Sequence, residues 1–117
     1  MQIVIYGRIP SKKNSKQIFR NRLFPSKNYI KRQKDQSEYL KSDYKIDKIY
    51  SSCMIEITVY FPDKRKSDLT NKVESIMDLL VDCWIIEDDN HTVVTKLFLY
   101  SGWVDKDNPR ADIHILE

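Results

Sequence analysis

Val73, Ile76, Met77 and Leu80 stand at i, i+3, i+4 and i+7, with Leu69 one turn earlier. That spacing draws one apolar stripe down a helix and obliges the helix to find a surface to cover. Just ahead of it, CMIEITVYF (53–61) is rich in β-branched and aromatic residues and carries Glu56 as its one charge, which predicts a strand. Behind it, TVVTKLFLY (92–100) predicts another. Ser67 or Asp68 is placed to cap the helix, and Asn71, Glu74 and Asp78 fall on its wet side.

The flanking chain adds smaller pieces. MQIVIYGR reads as a strand, and QIFRNRLF as a small hairpin turning near Arg20–Asn21. A polar helix is expected from Ser26 or Asn28 as cap to about Lys41, with a thin stripe of Tyr29, Ile30 and Leu40. SDYKIDKIYSS reads as a link, SGWVDKDNP as a turn and ADIHILE as a last strand. The expected order is β, hairpin, α, β, α, β, β. The fold class is α/β (α+β), a small mixed sheet with two main helices. The 117 residues make a single domain, 1–117.

Composition narrows the function classes. No apolar run approaches the ~20 residues of a membrane span, and the N-terminus has no secretory pattern. Cys53 and Cys83 are far apart, which predicts reduced thiols in an intracellular, cytoplasmic protein. Two Cys and two His at these distances do not make a zinc site. Charge is segregated: residues 1–34 hold ten Lys/Arg and no acid, whereas 73–95 hold six acids and no Lys or Arg. The cationic front seeks a polyanion. The clustered acids need water, a cation or a metal to stay ionised together.

Two stretches carry candidate chemistry. Asp68 lies where a strand hands over to a helix, and an N-cap is the plainer use of it. Glu87-Asp88-Asp89 reads by itself as a solvated turn. The topology allows the two to meet, and carboxylates from separate elements then make a hard-oxygen site for Mg²⁺ or Mn²⁺. Lys64, Arg65 and Lys66 would hold phosphate beside it. Lys12, Lys13, Asn14 and Lys16, expected on a loop, are the other phosphate-binding candidates. Phe19, Phe24 and Tyr29 interleave with these cations and offer rings for stacking, although core burial suits most of them better. His91 adjoins the acids but reads as a turn residue, and His114 as structural.

PDKRKSDLTN, a helix and then IIEDD resemble the central pattern of the RusA family of Holliday-junction resolvases, which are metal-dependent endodeoxyribonucleases. GRIPSKKNSKQ is similar to that family's N-terminal segment, so the resemblance spans most of the chain. It implies Mg²⁺-dependent hydrolysis of branched DNA in recombination or repair, a homodimer, and no small-molecule cofactor. A phage or prophage origin is a further expectation of it. Carried over, Asp68 matches the first metal-binding Asp, Asp89 the Asp after the helix with Asp88 beside it, and Asn71 the Asn after the Asp pair.

The sequence departs from the family twice. The second Asp is Thr70, and the catalytic Lys is Glu74. These are four apart on the helix, and helical side chains lean toward the N-terminus. Two readings of Glu74 stay open: it substitutes for the missing carboxylate as catalytic and metal-ligating residue, or it is one more residue of the wet face. Lys66, Lys72 or a front-loop Lys would supply the lost cation, and Lys72 joins the nucleic-acid candidates. The alternative is a non-catalytic nucleic-acid-binding domain, a degenerate nuclease whose acids only cap and solvate. A third class, built on Pro-Asp…(Asp/Glu)-x-Lys, begins at Pro62–Asp63 but finds no second half downstream.

Overall fold

The structure, a computed structural model, describes residues 1–10, 16–19, 22–25, 27–43, 49 and 51–117, with backbone alone for 16–19, 22–25, 42 and 43. The elements are β1 (Gln2–Tyr6), β2 (Lys16–Phe19), β3 (Arg22–Pro25), α1 (Lys27–Asp43), β4 (Cys53–Phe61), α2 (Leu69–Asp82), β5 (Val94–Val104) and β6 (Arg110–Leu116). This is the expected order. A four-stranded mixed sheet runs β1-β6-β4-β5, and β2 and β3 form a separate antiparallel hairpin. The residues of its turn, Arg20 and Asn21, lie outside the described residues, as does Ser26.

β4, α2 and β5 form a crossover between parallel neighbours, whereas β6 runs antiparallel to both β4 and β1. Parallel neighbours need such a connection, and the apolar stripe of α2 is what covers the sheet on the way across. Alternation chooses the face. Ile3 and Ile5 of β1, Cys53, Ile55, Ile57 and Val59 of β4, and Ala111, Ile113 and Ile115 of β6 are all buried. They join Val73, Ile76, Met77, Leu79 and Leu80 of α2 in one core. Leu40 of α1 belongs to the same core, and Gln33 Nε2 donates to the Ser75 carbonyl at 3.0 Å, fastening α1 to α2. Ile30, expected in the stripe of α1, is 55% exposed.

The end of α2 is held by a Schellman motif. Trp84 N–H donates to Val81 O and Ile85 N–H to Leu80 O, both at 3.0 Å, with Trp84 at φ 60°. Ile85 and Leu80, the apolar pair that accompanies such an ending, are both fully buried. Ile86 then bridges to Ile49, the described part of the segment read as a link. The chain is thereby brought sharply to the acidic turn.

The strand expected over 92–100 shifts at both ends: Thr92 and Val93 lie in the turn before β5. Ser101–Val104, read as part of a turn, continue β5, because Ser101 pairs with Val59 and Val104 with Phe61. The turn occupies 105–109 instead. No helix among the described residues is long and apolar enough to cross a membrane.

Candidate metal and nucleic-acid site

Asp68 is the N-cap of α2. Its Oδ1 accepts from the Thr70 N–H at 3.2 Å and from Thr70 Oγ1 at 2.8 Å, and its Oδ2 accepts from Asn71 Nδ2 at 3.3 Å. The capping use read from the sequence is therefore present. It is joined to a second arrangement through Thr70.

Among the described residues, two cavities flank the first turns of α2. One, of about 430 Å³, is lined by Thr70, Glu74, Asp89 and His91 over apolar walls that include Met77 and Leu99. Glu74 comes from α2 and Asp89 from the turn after it, so the crossover sets these two carboxylates on one cavity, whereas Asp68, the carboxylate expected to meet Asp89, is not among its lining residues. Asp68 adjoins this lining only by accepting from the hydroxyl of Thr70, the residue standing where the resembled family has its second Asp.

Asp88 is engaged differently. It accepts from the Asp89 N–H at 2.8 Å and from Asn90 Nδ2 at 2.7 Å, which hold its carboxyl below the usual carboxylate range. It braces the turn that presents Asp89, and it is not part of the cavity lining.

Among the described residues there is no group of three His, Cys, Asp or Glu side chains arranged to hold a metal ion. A divalent ion of the Mg²⁺ kind usually takes one or two carboxylates and completes its shell with water and substrate phosphate. Glu74 and Asp89 supply that number of carboxylates, so the donor chemistry of the cavity suits such an ion without forming a closed cage.

The second cavity, of about 180 Å³, lies on the other flank, where Arg8, Asp63, Arg65, Lys66, Ser67 and Lys72 contribute to its wall. Lys64 is exposed beside it. Arg65 binds Asp63 through Nε at 3.1 Å and Nη2 at 2.9 Å, and its backbone N–H adds a third bond at 3.0 Å. These hydrogen bonds lower the Asp63 pKa.

Two expectations need correction. Asn71 was expected on the wet side of α2 and as a nucleic-acid contact, yet it is buried, with its amide committed to Asp68. Lys72 was expected as a nucleic-acid contact, yet it is only 6% exposed and borders solvent at the wall of the second cavity. Its Nζ donates to the Ile9 carbonyl at 2.9 Å. Ser75 Oγ makes the matching bond to the Pro10 carbonyl at 2.8 Å, so α2 grips the chain just after β1. Lys12, Lys13 and Asn14 lie outside the described residues, as do the side chains of Lys16, Phe19 and Phe24.

Arg8, counted from the sequence only among the ten front cations, also lines the second cavity. The available signal was its place at the end of a strand, directly after Gly7, whose φ of +89° turns the chain there. No protein-family model matches this chain, and neither does any curated protein.

Proposed function

We propose that this chain is a divalent-metal-dependent endodeoxyribonuclease of the RusA type, hydrolysing a phosphodiester bond in four-way or otherwise branched DNA. The single observation that supports this reading is the shared cavity of Glu74 and Asp89, tied to Asp68 through Thr70. When bound, a Mg²⁺ or Mn²⁺ ion would acidify a water and relieve charge on the phosphoryl oxygens. Glu74 and Asp89 would hold it, with Asp68 fixing the Thr70 rim. Lys64, Arg65 and Lys66 would bear on the DNA backbone, and their positive charge would offset the charge that develops on the phosphate. An intracellular setting suits both the substrate and the two free, buried thiols, Cys53 and Cys83.

A four-way junction is pseudo-symmetric and is resolved by paired cuts, so we place the protein in a two-fold homodimer. β5 is an edge strand exposing Leu97, Phe98, Tyr100, Trp103 and Val104. Long apolar edges of this kind invite a partner strand. Because Leu97 and Leu99 also line the acidic cavity, pairing at this edge would set two such cavities beside one axis.

A second reading, a nucleic-acid-binding domain without catalysis, is favoured by one observation: Asp68 is engaged in capping α2 and Asp88 in bracing its own turn, the structural uses that reading assigns to the acids. One experiment separates the two. A synthetic four-way junction, a Y-fork and a linear duplex are each incubated with protein in Mg²⁺ or in EDTA. Symmetric nicks in the junction that require Mg²⁺ are expected, whereas retarded bands with no cut would support the binding-domain reading. Glu74→Gln and Asp89→Asn are each expected to lower cleavage at least about 100-fold, the upper end of what losing even an outer-shell partner costs. Full activity in Glu74→Gln would remove that residue from the metal site.

A further inference from the structure

We propose that the cavity walled by Arg8, Arg65, Lys66 and Lys72 binds one phosphate-type oxyanion. On the nuclease reading its source is a backbone phosphate of the bound DNA other than the one being cut. Only the source rests on that reading; the anion chemistry does not.

Charge balance is the first argument. Four cations meet one carboxylate, Asp63, and Arg65 already occupies that carboxylate through its fork and its backbone N–H. Among the described residues Arg8 and Lys66 form no ion pair within 4 Å, and Arg8 feels the Asp63 charge only at longer range. Like charges gathered in one concave place repel unless an anion joins them.

The second argument is the buried ammonium. Lys72 is more than nine-tenths buried and carries three N–H donors. One goes to the Ile9 carbonyl, and among the described residues no other acceptor is in place. A buried charge is costly unless its donors are met.

Size is the third. Ordinary small-molecule sites run from about 300 to 1,000 Å³. At about 180 Å³ this cavity is too small for a nucleotide, but it accommodates a tetrahedral oxyanion with part of its water. Guanidinium forks and ammonium groups converging from separate elements match several phosphate oxygens at once.

The test uses inorganic phosphate as probe, titrated calorimetrically into the full chain at low ionic strength with EDTA present. Saturable one-to-one binding is expected, weakened about tenfold or more in Arg8→Gln and in Lys66→Gln. Both substitutions are at exposed side chains, so folding is retained even if Lys72→Met, the third variant, fails to fold. Junction retardation in EDTA supplies the second arm. If the natural source is DNA, Arg8→Gln should weaken retardation and reduce the salt slope by about 1, and phosphate should compete. Phosphate binding without any effect on DNA would assign the cavity to free phosphate and leave the anion site standing. Phosphate binding that is absent, unsaturable, or unchanged in both Arg8→Gln and Lys66→Gln overturns it. Cleavage scored separately in Mg²⁺ reports on the nuclease reading, so either can fail alone.

Discussion

Gly102 shows how one missing side chain arranges its neighbours. A Cβ there would lie 2.6 Å from two ring carbons of Tyr60. That ring is not free to step aside: Arg110 sits over it at 4.0 Å from the centroid, and Trp103 meets it edge-on at 4.8 Å. Gly102→Ala is expected to cost about 1–3 kcal/mol, the usual price of overpacking, measured as a lowered urea midpoint with an unchanged slope. Tyr29 is a second residue with a measurable signature. Burial, and then the charges of Asp78, Asp82 and Glu74, push its pKa from 10.0 up to about 12. The phenol therefore stays protonated in the fold where the unfolded chain would ionise it. Its contribution to stability is complete below pH 10 and is lost as pH rises from 10 to about 12. In an ultraviolet titration Tyr29→Phe should remove a late phenol step near pH 12. At this scale the sequence was a partial guide. The capping role of Asp68 was legible because Asp before an apolar stripe has few other local uses. The inward turn of Lys72 was not, because its acceptor lies 63 residues away and only the folded chain brings it near.

Among the elements, β5 carries the most consequence. Its apolar residues were legible as a strand, but its end was placed too early, since Ser and Gly read as turn formers when no partner is in view. Parallel pairing with β4 carries the strand through Ser101–Val104 and puts Trp103 in the open. If this edge joins two copies, Tyr100→Lys and Trp103→Asp together should give a monomer in sedimentation at concentrations where the parent is a dimer. A parent that sediments as a monomer throughout would exclude that assembly. For α2, the spacing already separated Lys72 from Glu74, because residues two apart on a helix face different ways. Which neighbours they would meet was not in the spacing. It follows from the crossover, which sets the acidic turn on one flank and the end of β1 on the other.

For the whole molecule, the element order and the fold class were legible, because strong strands and a single amphipathic helix leave few ways to cover one sheet face. The strand order was not, since β6, the last strand, inserts between β1 and β4. The charge segregation is also a molecule-wide property with its own measurement. If about half of the ten front cations touch phosphate, log K for DNA against log salt should fall with a slope near −4 to −5. A slope near zero would mean that the front cations serve solubility alone.

The chain has two tryptophans, and both stand at the surface: Trp84 at 63% exposure beside the acidic turn and Trp103 at 68% on the sheet edge. Intrinsic emission from this protein should therefore be red-shifted in the native state and change little when the core melts. The same light becomes a sensor of encounters, moving toward the blue if Trp103 is covered by another strand and dimming if a ligand settles near Trp84.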